Sequence, residues 1–185
     1  MIIGIIQASG FSRRMNKDKL LMSIDGIPMI EKVIRSCKLS SLDDLIMVYR
    51  REEVGRIGER CGIKTVYNPN AHLGQSEALK VGIREAENAD AYMFLVGDQP
   101  FINSELIDRL IFAYRNNDAS IIVPYFNGKN GTPTIFSSKY KEKLLTIKGD
   151  KGGRDIIRNN FSLVKRVHID NPRLGIDIDT LEDLK

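Results

Sequence analysis

Short β-branched runs alternate along the chain with stretches of helical periodicity, the pattern of βαβ units around a mostly parallel sheet. Strands are expected at Ile2–Ile6, Leu45–Tyr49, Lys64–Tyr67, Tyr92–Val96 and Ser120–Pro124. The first, second and fourth runs are continuously apolar, as in strands buried on both faces. Between them, Ile27, Ile30, Val33, Ile34 and Cys37 recur at helical spacing. Ala78, Leu79, Val81, Ile83 and Ala86 do so less regularly, and Glu52–Arg60 forms a shorter helix candidate. Asn103 or Ser104 caps a further helix that runs to about Tyr114. Beyond Pro124 the segment YFNGKNGTPTIF places turn residues around a strand, with helices expected near Ser138–Leu145 and Asp150–Asn159. We take this part as an excursion covering the C-terminal edge of the sheet. A length of 185 residues suits one domain.

Composition narrows the function classes. The net charge of +4 is modest and the charges are interleaved. No Lys/Arg run with aromatic interleaving marks a nucleic-acid groove. No apolar run approaches the roughly 18 residues of a membrane span, and the start lacks signal-peptide character, so a cytoplasmic location is expected. Cys37 and Cys61 stand apart from any histidine cluster and are expected to be reduced structural thiols. Neither His72 nor His168 has ligand-like spacing, and His168 is expected on a strand surface.

The informative cluster is QASGFSRRMNKDK, which follows the first strand and sets Arg13, Arg14, Lys17 and Lys19 beside a turn of small residues, Ala8, Ser9, Gly10 and Ser12. Ligands of open parallel sheets bind outside the carboxyl ends of strands, where exposed backbone N–H groups receive phosphate. Neither the dinucleotide GxGxxG fingerprint nor the Walker pattern is present. In FLVGDQP, Asp98 sits just past an apolar strand, where its carboxylate suits Mg²⁺ on a triphosphate. Simple turn chemistry is the alternative reading of that Asp. In GIDIDTLEDL, Asp177 and Asp179 alternate with isoleucines and project to one face. Two such carboxylates repel unless a cation or basic group lies between them. Asp179 and Thr180 also fit a helix cap.

Together these fragments resemble the molybdenum cofactor nucleotidylyltransferases, most closely the cytidylyltransferase branch, within the nucleotide-diphospho-sugar transferase superfamily. The family motif L-A-A-G-x-S-x-R-M-G-x-x-K is matched at Ala8, Gly10, Ser12, Arg14, Met15 and Lys19. NPNAHLGQSEALKVGI, LVGDQPFI, GTPTIF, GDKGGRDII and DIDTLEDL follow in the family's order. The chain departs from the pattern at Gln7, Ser9, Asn16, Ala78 and Thr132, and Ser9 lies where the family separates cytosine from guanine.

The resemblance implies a Rossmann-like three-layer α/β sandwich over residues 1–185, with a nucleotide-binding half, 1–124, and an acceptor-binding and metal-completing half, 125–185. It implies transfer of CMP from CTP to the terminal phosphate of molybdopterin, for maturation of a recipient molybdenum hydroxylase, with release of pyrophosphate. In-line transfer of this kind requires positioning and charge neutralisation rather than a nucleophile on the protein. By the same resemblance, Ala8, Ser9, Gly10 and Ser12 hold the nucleotide, while Arg14 and Lys19 neutralise the triphosphate and, with Asp98, form the catalytic set. Asn68, Gly74, Gln75 and Ser76 belong to the base and ribose contacts, with Gly74 giving the backbone close access to a base edge. Asp98 and Asp177 hold Mg²⁺. Gly131, Pro133, Lys151 and Arg154 line the acceptor pocket, along with Asp150. Three rivals stand beside this reading: a guanylyltransferase using GTP, a sugar- or alditol-phosphate nucleotidyltransferase, and a non-catalytic cofactor chaperone.

Overall fold

A computed structural model describes residues 1–11, 18–180 and 183. Strands run β1 Ile2–Ala8, β2 Ser23–Ile24, β3 Ile27–Pro28, β4 Asp44–Tyr49, β5 Lys64–Tyr67, β6 Ala91–Val96, β7 Ile121–Phe126, β8 Lys129–Asn130, β9 Thr134–Ser137 and β10 Val164–His168. Helices are α1 Met29–Lys38, α2 Glu52–Arg60, α3 Gln75–Glu85, α4 Ser104–Arg115, α5 Lys141–Leu145 and α6 Arg154–Asn159. The main sheet has the order β10-β7-β9-β6-β1-β4-β5, with β8 beside β7. The β1–β4, β1–β6, β4–β5 and β7–β10 pairings are parallel. Strand β9 is antiparallel to both of its neighbours, β6 and β7.

Alternation along each strand explains the three layers. Ile2 and Ile6 of β1 pack with Met29, Ile30, Val33 and Ile34 of α1 and with Leu106, Ile107 and Leu110 of α4. Ile3 and Ile5 face the opposite side, with Ala78, Leu79 and Ile83 of α3, Leu144 of α5 and Ile156 of α6. Successive side chains of a strand point to opposite faces, so a strand that is apolar throughout must be covered twice. Each fully buried aliphatic side chain adds about 1.5–3 kcal/mol. The expected α/β sandwich with a mostly parallel sheet is the observed fold.

Several boundaries differ from expectation. Ile27 lies outside α1, in a two-strand hairpin with Ser23–Ile24. Asp25 and Gly26 take the positive φ values of a tight hairpin turn, and Pro28 disfavours helix at the residue before it. The helix expected from Asp150 starts only at Arg154, because Gly152 has φ +51°. The excursion after Pro124 does not merely cover an edge: β9 fills the slot between β6 and β7, and β10 extends the sheet beyond β7. His168 ends β10 and is exposed, as expected of a strand-surface residue. Among the described residues, no helix is long and apolar enough to cross a membrane.

Candidate functional site

The central parallel strands end level with one another, since Gln7 of β1 pairs with Val96 of β6. Just past them, Gly97 donates its N–H to the Gln7 carbonyl at 3.1 Å, and Asp98 follows at the carboxyl edge. Two distant segments converge on Asp98. Lys19 Nζ lies 2.7 Å from Asp98 Oδ2 and 2.9 Å from Asp179 Oδ1. The extended C-terminal segment is held by the Ile178 N–H, which donates to the Asp98 carbonyl at 2.9 Å. Ile178 itself is wholly buried, so the alternation turns Asp177 and Asp179 to the other side. Gln99 Nε2 donates to Asp177 Oδ1 at 2.8 Å and to the Gly175 carbonyl at 3.2 Å.

This grouping perturbs two of its members. Burial raises the Asp177 pKa above the usual carboxylate range and the negative charge of Asp98 raises it further, while the Gln99 hydrogen bond and Lys19 act in the opposite direction. Burial by itself lowers the Lys19 pKa, yet the hydrogen bonds and charges of Asp98 and Asp179 outweigh it and hold the pKa above the ordinary value. Lys19 therefore stays cationic at neutral pH. The helix start expected at Asp179 and Thr180 runs into residues 181 and 182, which lie outside the described residues. The Asp179 carboxylate is engaged by Lys19, and Asp183 Oδ2 accepts from the Asp179 and Thr180 N–H groups.

Ser12 and Arg14, with their neighbours Arg13, Met15, Asn16 and Lys17, lie outside the described residues. Both flanks of that segment are tied to two consecutive arginines after β4. Arg50 lies over the Phe11 ring at 4.4 Å, with Nη2 3.5 Å from the Gly10 carbonyl, and Arg51 Nε lies 3.7 Å from Asp18 Oδ2. Asp18 also accepts from the Leu20 N–H at 3.1 Å, which caps the short turn that carries Lys19. Behind Ser9, the wholly buried Asn68 donates from Nδ2 to Ser9 Oγ at 3.0 Å and accepts from the Asn70 N–H. Asn68 thus sets the Ser9 hydroxyl from behind.

The start of α3 is joined to the chain's second half. The Gln75 N–H donates to Asp150 Oδ1 at 2.9 Å and the Ser76 N–H to the Gly149 carbonyl at 3.0 Å. Gly74 has φ +115°, and a Cβ there would stand 2.6 Å from the Gly149 carbonyl carbon. The glycine expected to admit a base edge admits this backbone, a close approach that no larger residue permits. Ser76 is fully buried, and its Oγ has no hydrogen-bond partner among the described residues.

These elements surround a cavity of about 1010 Å³. Ser9, Gly10, Lys19, Asp98 and Asp177 line it, as do Gly74 and Gln75 from the α3 start. So do Gly131, Lys151 and Arg154 from the second half, with Asp150 beside them. Ala8, Asn68, Ser76 and Pro133 do not line it. Ala8 belongs to the core, and the two buried polar residues stand behind the wall. Sequence reasoning overlooked Gln99, Arg158, Phe161 and Arg166, which also line the cavity. Gln99 adjoins Asp98 in the quoted motif and was open to suspicion. The other three carry no local signature and enter only because α6 and β10 fold back onto the sheet.

Asp98 and Asp177 form an acidic pair beside the cavity, and no group of three or more metal-ligating side chains occurs among the described residues. Two carboxylates fit a Mg²⁺-type ion, which retains waters and takes phosphate oxygens from its nucleotide. A divalent ion would relieve the repulsion that raises the Asp177 pKa.

A family model described as the MobA-like NTP transferase domain matches residues 4–167. The bifunctional protein GlmU of Acetivibrio thermocellus is 30% identical over 191 residues, covering 99% of this chain and 39% of that protein, so the chain spans well under half of that relative. A probable molybdenum cofactor guanylyltransferase of Natranaerobius thermophilus is 30% identical over 88% of this chain and 75% of its own length. Rv0371c of Mycobacterium tuberculosis has a crystal structure with a TM-score of 0.84 and 21% identity, covering 98% of this chain and 94% of that one. The same protein, in a complex with manganese, gives a TM-score of 0.79 at 20% identity, with 98% and 95% covered. The chain belongs to the MobA-like NTP transferase family and is a nucleotidyltransferase.

Proposed function

We propose that this nucleotidyltransferase transfers CMP from CTP to the terminal phosphate of molybdopterin, with release of pyrophosphate. The observation that carries the proposal is the Lys19–Asp98–Asp177–Asp179 grouping at the carboxyl ends of the strands, beside a cavity that Lys151 and Arg154 also line. The first group suits a metal-bearing triphosphate and the two cations an anionic acceptor. On this reading residues 1–124 bind the nucleotide, while 125–185 bind the acceptor and complete the metal site through Asp177. The finished cofactor would serve a molybdenum hydroxylase.

Asp98 and Asp177 would hold Mg²⁺, which supplies charge neutralisation on the phosphates when bound. The backbone at Ser9 and Gly10 receives the nucleotide, with Asn68 keeping the Ser9 hydroxyl in place. Lys19, cationic at neutral pH, exchanges its carboxylate partners for the phosphate oxygens where charge accumulates on the leaving pyrophosphate. Arg14 is assigned the same role on the resemblance, since arginine presents a planar fork to phosphate. Gly131 lines the acceptor side, and Lys151 and Arg154 supply its charge.

Two other readings have specific support. The guanylyltransferase relative favours GTP as the donor, and the GlmU relative favours a sugar phosphate as the acceptor. Pyrophosphate release is the test, measured with CTP or GTP against molybdopterin or a sugar 1-phosphate, with Asp98→Ala as control. Release with CTP and molybdopterin alone supports the proposal. A clear preference for GTP replaces the base assignment, and a preference for the sugar phosphate replaces the acceptor. Release no higher than the control in every combination sinks the catalytic assignment.

A further inference from the structure

Lys19 reaches Asp98 and Asp179 from a helical turn of only three residues, Lys19–Leu21. A flexible lysine stem keeps its ammonium between two carboxylates only if the backbone that carries it is fixed. Backbone bonds close part of the turn: the Leu21 N–H donates to the Asp18 carbonyl and the Met22 N–H to the Lys19 carbonyl, each at 3.1 Å. Leu20 is buried and seats its side chain against Gly97, the residue before Asp98, where a Cβ would stand 3.2 Å from Leu20 Cδ2.

The remaining tie is the side chain of Asp18, which is only 4% exposed and puts its two oxygens to different uses. Oδ1 accepts from the Leu20 N–H at 3.1 Å, and Oδ2 faces Arg51 Nε at 3.7 Å. The longer separation is beyond hydrogen-bond reach, so Arg51 acts on the carboxylate as a nearby charge. Glu53 fixes Arg51 in turn, accepting from its Nη2 at 3.0 Å and its Nε at 3.4 Å. A buried carboxylate is costly unless a charge compensates it, and the start of α2 supplies that charge. Asp18 does not line the cavity, so whatever it contributes there passes through Lys19.

We infer that Asp18 is a positioning residue: its carboxylate, compensated by Arg51, fixes the turn that aims Lys19 at Asp98 and Asp179. The contribution to turnover rests on the reading of Lys19 as the group that meets phosphate charge. The contribution to the place of the ammonium does not.

The test uses the full chain and two readouts. The first is the ammonium signal of Lys19 in a proton–nitrogen correlation spectrum of protein carrying isotope-labelled lysine, assigned by its loss in Lys19→Met. An ammonium held between two carboxylates exchanges slowly enough to be seen. Asp18→Ala should broaden that signal beyond detection, and Asp18→Asn, which retains a capping oxygen, should keep it. The second readout is pyrophosphate release. Asp18→Ala should lower kcat at least about fivefold, the population change expected from losing a cap, with KM for the nucleotide within about twofold and most of the rate recovered in Asp18→Asn. In the Lys19→Met background, Asp18→Ala should cost less than about twofold, since residues that act as a unit do not add. Arg51→Gln should lower kcat about threefold beside the Asp18 carboxylate and have no effect in the Asp18→Asn background, where no charge needs compensation.

The inference is overturned if Asp18→Ala keeps the Lys19 signal, if Asp18→Asn is as impaired as Asp18→Ala, or if Asp18→Ala costs as much in Lys19→Met as in wild type, which would mark a structural role. Should Asp18→Ala not fold, the Arg51→Gln pair decides, and equal effects in the two backgrounds overturn it. If Lys19→Met turns over at the wild-type rate while the Lys19 signal still depends on Asp18, the catalytic assignment of Lys19 falls and its positioning by Asp18 stands.

Discussion

The ammonium of Lys19 lies 2.7 Å from the carboxylate of Asp98, with only 14% and 23% of the two side chains exposed. The pair joins the first strand-to-helix connection to the end of β6, and Asp179 joins the C-terminal segment to both. Replacement by Lys19→Met leaves Asp98, Asp177 and Asp179 without their shared cation. Turnover, measured as pyrophosphate release, should fall by about 10²-fold or more, as for other groups that stabilise developing charge. The unliganded variant should also unfold at a lower temperature at pH 7, and added Mg²⁺ should recover more stability than it adds to wild type. An unchanged rate would remove Lys19 from the catalytic set.

Asp177 has its pKa raised by burial and by the charge of Asp98. For a carboxylate shifted upward, the stabilising contribution is present below the usual carboxylate range and is lost as pH rises through the folded-state value. Asp177→Asn should therefore raise the melting temperature of the metal-free protein at pH 7 while weakening Mg²⁺ binding. In wild type, the ion must compete with a proton, so affinity should increase as pH climbs through the elevated pKa. Titrations at several pH values check the direction.

Gln99 holds Asp177 and lowers its pKa through a 2.8 Å hydrogen bond. Gln99→Leu removes that donor without touching the carboxylate. Metal affinity should drop by about 10–100-fold, the usual effect of losing an outer-shell partner, and the pH at which binding sets in should move upward. A metal titration with no change in affinity or pH onset would show that Asp177 is not a ligand.

Asn68 is wholly buried and satisfies both Ser9 and Asn70. Asn68→Ala leaves the Asn70 N–H without its acceptor and should cost about 1–3 kcal/mol in urea unfolding. With the Ser9 hydroxyl unheld, KM for the nucleotide should rise more than kcat falls. Ser9→Ala should retain most of the stability and change the ratio of CTP to GTP use.

Gly74 combines φ +115° with contact to the Gly149 backbone. Gly74→Ala therefore meets backbone strain and a clash together, and a loss greater than about 1 kcal/mol is expected. Because Gly149 and Asp150 bond the first N–H groups of α3, amide exchange at Gln75 and Ser76 should accelerate in that variant, with little change in β1.

The local pattern was enough for most elements that contain their own signal. The fully apolar runs of β1, β4 and β6 and the bounds of α2 and β5 were legible, because burial on both faces and helical spacing leave local traces. The Asp-Gly turn and Pro28, which cut Ile27 away from α1, were also visible as letters but were outweighed by the apolar period. In β9, a four-residue strand, nothing local says that it runs antiparallel between β6 and β7. In β10, alternation is broken by Lys165 and Arg166, so a strand was expected around His168 but its bounds were not legible.

The same division holds in the site. By itself, the sequence determined the α/β class, the placement of Asp98 just past an apolar strand and the shared face of Asp177 and Asp179, since each follows from short-range periodicity and turn chemistry. Tertiary structure alone decided that Asp179 pairs with Lys19, that Asn68 stands behind Ser9, and that Gly74 receives Gly149. It also brought Arg158, Phe161 and Arg166 to the cavity. These are contacts between segments remote in sequence, and their energies depend on distance and burial after the chain has closed, quantities that no local pattern of residues contains.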